Sequence, residues 1–309
     1  MNQFEEYFVH EFVEEYRVGH MTRRDLLRRV LYITGGVAST ATLLASLGVP
    51  TAAFAQPTAV AAAVTLAASP LAVPENDPAV STQSISFTNS NDGATIMAYE
   101  ARPRVATQPL PVVLVCMRNQ GVEPHIQDVA RRWAKLGYIG TAVDLLSREG
   151  GTSALDKAQI PSLLSGADPN RHVSDFQAAA EYYTTQSDVD ANRLGMNGFC
   201  FGGGIVWRSA EAIQSLKAAV PFYGAPPPLD QVPNIQAAVL GVYSSDSNDF
   251  ANNNRDGLDA ALTAAGINHQ MNVYPDTHHD FYNDTGQAYN EQEALMAWND
   301  AVNWIKMYV

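Results

Sequence analysis

The sequence predicts an α/β fold in which helices cover both faces of a mostly parallel, eight-stranded sheet. The first observation is that short apolar runs alternate with amphipathic segments along the chain after about residue 82. Continuous apolar runs of this length are typical of parallel strands that are buried on both faces. The second observation is size and composition, since 309 residues of which 46% are hydrophobic can bury a large core. A single extended α/β domain therefore accounts for most of the chain.

Charge and cysteine content exclude several classes of function. The net charge of -13 would repel phosphate backbones, so we expect no nucleic-acid partner. The two cysteines, Cys116 and Cys200, are too few for a disulfide framework and have no metal-binding Cys-x-x-Cys spacing. A single disulfide between them is possible in an oxidising compartment. We interpret Cys116, which ends a predicted strand, as a free thiol of the core.

Residues 1–55 are predicted to be an N-terminal extension that carries an export signal. The sequence Met21-Thr22-Arg23-Arg24-Asp25-Leu26-Leu27 precedes residues 30–49, which contain no charged side chain, and Ala53-Phe54-Ala55 offers a small-x-small cleavage site. The TRRDLL core resembles a twin-arginine signal, which predicts contact with the twin-arginine export machinery and a periplasmic or extracellular location. The alternative is a membrane anchor formed by residues 30–49. Residues 56–81, rich in Ala, Pro and Val, are predicted to be a linker.

The domain at residues 82–309 is predicted to begin with an antiparallel pair of strands around the turn Asn91-Asp92-Gly93. Parallel strands and helices then alternate, and the helices are expected on both faces of the sheet. The predicted strands are residues 84–87, 95–99, 112–115, 138–143, 194–196, 218–222, 239–243 and 271–274, and the predicted helices are residues 126–136, 173–184, 205–213, 255–265 and 291–307.

Cys200 is predicted to be a nucleophile at a strand-to-helix turn. It lies in Gly198-Phe199-Cys200-Phe201-Gly202-Gly203-Gly204, directly after one strand and before a helix. This is the context of the nucleophile elbow of an α/β-hydrolase fold, in which glycines two residues before and after the nucleophile are a steric requirement. The helix N-terminus favours the thiolate, and the Phe201 amide is expected to donate to an oxyanion. The alternatives are a buried structural cysteine or a nucleotide loop, but the glycine spacing is not GxGxxG.

A nucleophile of this kind needs an imidazole and an acid that orients it, in the chain order nucleophile, acid, base. His278 and His279 follow the last predicted strand, and either histidine could be the base. The acid is expected after the preceding strand, where Asp246 and Asp249 compete. We favour Asp246 because it comes first after the strand and would be held more rigidly, with Asp249 as the alternate and a turn or capping role for the other.

Over about residues 84–309 the chain resembles the dienelactone hydrolase family. The motifs that carry this resemblance are Gly121-Val122-Glu123-Pro124-His125-Ile126, Asp128-Val129-Ala130-Arg131-Arg132, Asp144-Leu145-Leu146-Ser147, the segment 198–204 and the segment 274–284. The resemblance implies that His279 is the base of a Cys-Asp-His triad. It also implies hydrolysis of the ring of an enol-lactone, with neither a metal nor an organic cofactor, and points to the twin-arginine-exported branch of the family.

The sequence departs from the family pattern after the strand at residues 112–115, where Arg118 stands in the place of a glutamate that takes part in activating the cysteine. We expect Arg118 to pair with the thiolate or, like Arg148, to bind a substrate carboxylate. The second oxyanion donor is expected to be the backbone amide of Arg118 or Asn119. The aromatic side chains expected to line the substrate pocket, for which ordinary packing is the alternative, are Phe199, Tyr223 and Tyr282.

The leading hypothesis is therefore a cysteine hydrolase that acts on a small ester or lactone, which in one version bears a carboxylate. The exchange at Arg118 motivates a broader carboxylesterase as the second hypothesis. The third hypothesis, from a different class, is a catalytically inactive or redox-active binding protein with the same fold, in which Cys200 is not a nucleophile.

Overall fold

The computed structural model describes residues 1–49 and 69–309. The predicted cleavage site at residues 53–55 and the first half of the predicted linker, residues 56–68, lie outside the described residues. The part of the linker that is described contacts the domain, since the Val73 amide donates to Asp128 (2.7 Å) and Arg131 donates to the Val73 carbonyl (2.6 Å).

The predicted eight-stranded, mostly parallel sheet is confirmed, with the strands in the order β1-β2-β4-β3-β5-β6-β7-β8. β1 and β2 form the expected antiparallel pair, and β2 is also antiparallel to β4. The remaining pairs are parallel. The strands are β1 Val80–Thr88, β2 Thr95–Pro103, β3 Leu110–Cys116, β4 Ile139–Val143, β5 Val189–Phe199, β6 Ala218–Phe222, β7 Ala238–Ser244 and β8 His269–Tyr274.

The parallel strands bring distant parts of the sequence to one edge of the sheet. Every residue of β3 is buried, as expected for a central strand with helices on both faces. The parallel register sets Cys116 of β3 beside Gly198 of β5, and Gly198 beside Pro221 of β6. The loops that leave β3, β5, β7 and β8 therefore start at neighbouring points of the carboxyl edge, where open α/β sheets place their sites.

The five predicted helices are confirmed, and they are α4, α6, α7, α8 and α9. A short helix, α5, and three N-terminal helices were not predicted. The helices are α1 Gln3–Arg17, α2 Arg23–Thr34, α3 Val37–Ser46, α4 Pro124–Lys135, α5 Ile160–Gly166, α6 Pro169–Thr184, α7 Phe201–Ala212, α8 Arg255–Ala264 and α9 Glu291–Tyr308.

Helices α1, α2 and α3 form an N-terminal cap, which we define as residues 1–49. Asn2 begins α1 with a capping box that includes Glu5, and Thr22 caps α2. The apolar residues of α1, including Phe4, Phe8 and Phe12, recur at helical spacing and are buried. α1 packs against α2 and α5. Among the described residues, we find no helix with the length and hydrophobicity needed to cross a membrane.

Candidate active site

Cys200 lies on a strained turn between β5 and α7. Its backbone has φ 57° and ψ -121°, and residues other than glycine rarely adopt a conformation with positive φ. A Cβ on Gly202 would lie 2.4 Å from the Met117 carbonyl, and a Cβ on Gly198 would lie 2.7 Å from the Gly202 carbonyl. The turn thus requires glycine two residues before and two residues after Cys200, as predicted for a nucleophile elbow.

His279 lies beside Cys200 and is oriented by Asp249. The donor atoms of Cys200 and His279 lie within 4.8 Å of each other. The Nδ1 nitrogen of the His279 ring lies 2.9 Å from Asp249 Oδ1. Asp249 also accepts hydrogen bonds from the Ser244 hydroxyl (2.5 Å) and the Ala251 amide (2.9 Å). The structure therefore brings a thiol, an imidazole and a carboxylate close together in space.

The structure does not place Asp246, the acid that we favoured, on His279. Asp246 lies 2.7 Å from Nδ1 of His278, which is 70% exposed in its side chain. After β7 the chain turns back, with the Asp249 amide bonded to the Asp246 carbonyl, and this turn carries the Asp249 side chain inward. Asp249, the alternate candidate, is the acid that contacts His279. The preference for Asp246 was therefore wrong.

The electrostatics of His279 and Asp249 follow from burial and from their mutual contact. Burial alone would raise the pKa of Asp249, but the His279 ring and the hydrogen bonds from Ser244 and Ala251 hold that pKa below its ordinary value. Burial alone would lower the pKa of His279, but the Asp249 carboxylate and the Cys200 sulfur raise it well above its ordinary value. A carboxylate partner of this kind stabilises the imidazolium that forms during acyl transfer.

The predicted oxyanion donors lie at the start of α7 and after β3. Phe201 is the first residue of α7, where a backbone amide has no intrahelical acceptor. The close approach of Gly202 to the Cys116 and Met117 carbonyls places the β3 end, and hence Arg118 and Asn119, beside the elbow. The Asn119 side chain is also close to Cys200, since both residues donate hydrogen bonds to the Glu11 carboxylate.

Two side chains of α1 reach Cys200, and sequence reasoning missed both. The Cys200 thiol donates to Glu11 Oε2 (3.4 Å), and Asn119 Nδ2 donates to both oxygens of Glu11 (2.9 Å each). The Tyr7 hydroxyl lies 2.8 Å from His279 Nε2 and 3.4 Å from Cys200 Sγ. The helical recurrence of aromatic residues in 1–20 was the available sign that this segment packs on the domain.

The surroundings raise the pKa of the Cys200 thiol. Burial and the neighbouring Glu11 carboxylate raise the pKa of Cys200 to about 11, although His279 and Tyr7 act in the opposite direction. Burial also raises the pKa of Glu11 above its ordinary value, against the opposing effect of His279. In this arrangement the Cys200 thiol donates a hydrogen bond to Glu11 and accepts one from the Tyr7 hydroxyl.

Glu11, Cys200 and His279 are also a set of donors that a metal ion could use. Their ligand atoms lie within 4.8 Å of one another, and thiolate, imidazole and carboxylate are the usual ligands of zinc. The Tyr7 hydroxyl, however, lies between the sulfur and His279 Nε2 and contacts both. A metal at this point would require Tyr7 to move or to become a ligand.

The two arginines expected to bind substrate are both paired with carboxylates of the protein. Buried Arg118 donates to Glu123 through Nε (2.8 Å) and also contacts Asp280. Arg148 makes a bidentate pair with Asp175, with both distances 2.8 Å. Neither set of contacts supports the expected binding of a substrate carboxylate or the pairing of Arg118 with the thiolate.

The three aromatic residues expected in the pocket have different roles. Phe199 and Tyr282 are buried and stack on each other with centroids 5.1 Å apart, so they are core packing. Tyr223 is buried beside His279, with ring centroids 4.9 Å apart, and its hydroxyl donates to Asp280 (3.2 Å). Cys116 is a buried free thiol, as predicted.

A cavity of about 1370 Å³ opens next to these residues. Its walls include Tyr7 and Glu11 from α1, and His279 from the loop after β8. Cys200 is not among the described residues that line the cavity, and only 1% of its surface is exposed. The cavity therefore reaches the imidazole but not the sulfur.

Comparisons of sequence and of structure with known proteins both match the chain to the same protein family. The model of the dienelactone hydrolase family matches residues 96–309. A candidate carboxymethylenebutenolidase of Escherichia coli (strain K12) is 35% identical over 233 residues, which cover 71% of this chain and 84% of that protein. One of Salmonella typhi is 36% identical over 260 residues, which cover 78% and 94%. The crystal structure of a candidate dienelactone hydrolase from Klebsiella pneumoniae subsp. pneumoniae MGH 78578 is similar with a TM-score of 0.67 and 30% identity, over 74% of this chain and 100% of that one.

Proposed function

Because the chain belongs to the dienelactone hydrolase family, whose relatives are hydrolases of lactone and ester bonds, we propose that it hydrolyses a small ester or lactone through Cys200, His279 and Asp249. The observation that carries the proposal is that Cys200 and His279 have ligand atoms within 4.8 Å of each other, and that His279 Nδ1 contacts the buried Asp249 carboxylate. The alternate acid Asp249 replaces Asp246 in this proposal because it is the aspartate that touches His279.

The reaction would proceed by acyl transfer to sulfur. His279 takes the thiol proton, and the sulfur attacks the carbonyl carbon while the carbonyl electrons move to oxygen. The Phe201 amide and the Arg118 or Asn119 amide would donate to this oxyanion. Collapse breaks the carbon–oxygen bond, and His279 returns the proton to the leaving alkoxide. Water activated by His279 then cleaves the thioester, which releases a carboxylic acid and regenerates the thiol.

The substrate class is proposed as a small, uncharged acyl compound or lactone. The relatives are named for a butenolide lactone that carries a carboxyl group, which supports a lactone but not the absence of charge, and the family match includes Cys200, Asp249 and His279. Neither Arg118 nor Arg148 is free to bind a carboxylate on the substrate, because both are paired with carboxylates of the protein. Simple esters and neutral lactones therefore fit the contacts better than an anionic substrate does.

The test is hydrolysis of dienelactone and of p-nitrophenyl acetate by the full chain and its variants. We expect Cys200→Ala to abolish hydrolysis. Asp249→Asn should lower kcat by about 100-fold or more, because the imidazole loses the partner that fixes its tautomer. Asp246→Asn is the matched control, since it removes a carboxylate of the same loop that contacts the exposed His278 and the Asn248 amide but not His279.

Two results would contradict the proposal. If Cys200→Ala retained the hydrolysis of both compounds, the sulfur would not be the nucleophile. If Asp246→Asn and Asp249→Asn lowered kcat equally, the acid would not be defined by contact with His279, and the loop as a whole would be responsible.

We also propose that residues 21–55 act as a twin-arginine export signal that is cleaved after Ala55. The support is the sequence pattern, in which paired arginines precede an uncharged stretch and a small-x-small site. Cell fractionation of the full chain and of Arg23→Lys/Arg24→Lys tests this. Export of both forms to the same extent would contradict it.

A further inference from the structure

Helix α1 separates Cys200 from the cavity that substrate would enter. Tyr7 and Glu11 line the cavity on one side and contact the sulfur on the other, each at 3.4 Å. The sulfur is 1% exposed behind them. A small molecule in the cavity would therefore reach His279 without being able to reach Cys200.

The two side chains occupy the space that the reaction needs. A carbonyl carbon must come within about 3–3.5 Å of the nucleophile before attack. Oxygen atoms of Tyr7 and Glu11 already lie at about that distance from Cys200 Sγ, and Tyr7 also contacts the nitrogen of His279 that must exchange the proton. The Asn119 amide, beside the predicted oxyanion donors, is bonded to Glu11.

We propose that the N-terminal cap is an intramolecular inhibitor, in which α1 holds Tyr7 and Glu11 in the place of substrate and must move away from Cys200 for turnover. The inhibitory part of this proposal depends on the proposed hydrolase function, whereas the closure of Cys200 does not. The three proposed reacting residues all lie within the family match at residues 96–309, and the cap lies wholly outside it.

The cap is held by apolar contacts at its centre and by polar contacts at its rim, which include Asn2 with the Ser165 carbonyl and Gln3 with Arg208. Phe4 and Phe8 pack against Phe201, with ring centroids 5.0 and 5.5 Å apart. On α2, Leu26 and Val30 are buried, and α2 packs against α1 and against α5 of the domain. Substituting the buried residues of α2 loosens the cap without changing a side chain that contacts the sulfur.

At the rim, Arg28 of α2 contacts Asp156 of the domain at 2.5 Å, and both side chains are 45% exposed. Exposed pairs of this kind contribute little to closure. Removing this one therefore offers a milder way to loosen the cap than removing its buried side chains.

The experiment measures how fast iodoacetamide alkylates Cys200 in the full chain, read by mass spectrometry of the peptide that carries it. We compare the wild type with Leu26→Ala/Val30→Ala and with Leu31→Ala, a control on the same helix at an exposed leucine. We expect the double variant to raise the Cys200 rate by about tenfold or more, and the control to leave it unchanged. Arg28→Glu should raise the rate by about two- to fivefold and Arg24→Glu should not.

Cys116 serves as an internal reference, because it is buried in β3 and is the other cysteine of the chain. Faster alkylation of Cys200 with an unchanged rate at Cys116 supports opening of the cap alone. An unchanged Cys200 rate, or a Cys200 rate that rises only in step with Cys116, would overturn the proposal, because exposure would then require unfolding of the domain.

Hydrolysis of p-nitrophenyl acetate by the same variants separates this inference from the proposed function. A higher kcat/KM in the double variant supports inhibition by the cap. A lower kcat/KM together with faster alkylation of Cys200 would overturn it, since α1 would then complete the site. If no form hydrolyses any ester while the Cys200 rate responds as expected, the closure of Cys200 stands and the hydrolase proposal fails.

Discussion

At the scale of single residues, the pKa of Cys200 is set by burial and by two neighbours of opposite effect. After burial, Glu11 is the largest influence that raises its pKa, and His279 is the largest that lowers it. The helix N-terminus at Phe201, which sequence analysis expected to favour a thiolate, is thus outweighed while α1 is in place. Displacing Glu11 would leave a site better suited to nucleophilic attack.

Replacing Glu11 by glutamine should lower the pKa of Cys200 from about 11 by about one unit, because a negative charge is removed from beside the sulfur. The measurement is the pH dependence of Cys200 alkylation in the full chain. Glu6→Gln is the control, since Glu6 is an exposed glutamate of the same helix. A pKa that does not change, or that rises, would show that Glu11 does not act on the thiol through its charge.

The residue that sequence reasoning ranked second as the acid shows what a linear pattern leaves undetermined. Asp246 and Asp249 are both in the loop after β7, and their order along the chain favoured Asp246. The turn that reverses the loop, and the hydrogen bond from Ser244 that holds Asp249, decide which carboxylate faces inward. Neither feature has a signature in residue type alone.

At the scale of elements, the loop that carries His279 is fixed to α4 by a buried ionic network. Asp284 in this loop contacts Arg132 of α4 and lies 2.8 Å from His125 Nδ1. Arg132 also donates to the Tyr282 hydroxyl (2.9 Å). These residues belong to the motifs that carried the family resemblance, and the structure shows that the motifs meet in one network beneath the site.

Asp284→Asn should destabilise the protein by about 2 kcal/mol at pH 7. Burial alone would raise the pKa of Asp284, but His125 and Arg132 lower it from 3.8 to about 2, and each unit corresponds to about 1.4 kcal/mol. Since the pKa is lowered on folding, this stabilisation is complete above about pH 4 and is lost as the pH falls toward 2. Urea unfolding at pH 7 and pH 3 measures the difference.

The control for this change is Asp230→Asn, which alters an exposed aspartate. A difference in unfolding free energy between Asp284→Asn and the wild type that stayed constant from pH 7 to pH 2 would contradict the ionic origin of the effect. It would indicate a packing change in the loop instead.

Sequence periodicity predicted the central elements well, because buried strands and amphipathic helices have distinct patterns. The eight strands and five of the six α-helices of the domain were found where short apolar runs and amphipathic segments lie, and the short helix α5 was missed. The cap was not predicted, because paired arginines followed by an uncharged stretch have the same composition whether they form a free signal or the helices α2 and α3. Its contact with Cys200 depends on packing between segments almost 200 residues apart.

At the scale of the whole molecule, the proposed export signal at residues 21–55 overlaps the cap at residues 21–49 and follows α1 along the chain. Cleavage after Ala55, which lies outside the described residues, would detach residues 1–49 from the domain that contains Cys200 and His279. The hydrolase would then stay closed while the signal is attached and open once it is removed.

Closure should also depend on pH, because Glu15 of α1 is buried and close to other charges when the cap is closed. Burial is the main cause that raises the pKa of Glu15 to about 7, and Glu11 and Asp280 add to it, whereas Arg29 of α2 and Arg118 oppose it. A pKa raised by closure means that the closed cap binds the proton more tightly than the open cap. Closure is therefore most favourable below the ordinary pKa of about 4.5 and weakens as the pH rises to about 7.

Glu15→Gln should remove this dependence, because glutamine stays neutral like the protonated acid. The ratio of the wild-type to the variant rate of Cys200 alkylation cancels the titration of the thiol itself. We expect this ratio to rise by about tenfold between pH 5 and pH 7 and then to level off. Glu14→Gln, on the neighbouring glutamate that pairs with Arg17, should give no such rise. A ratio for Glu15→Gln that is flat across this range would mean that Glu15 does not couple the opening of the cap to pH.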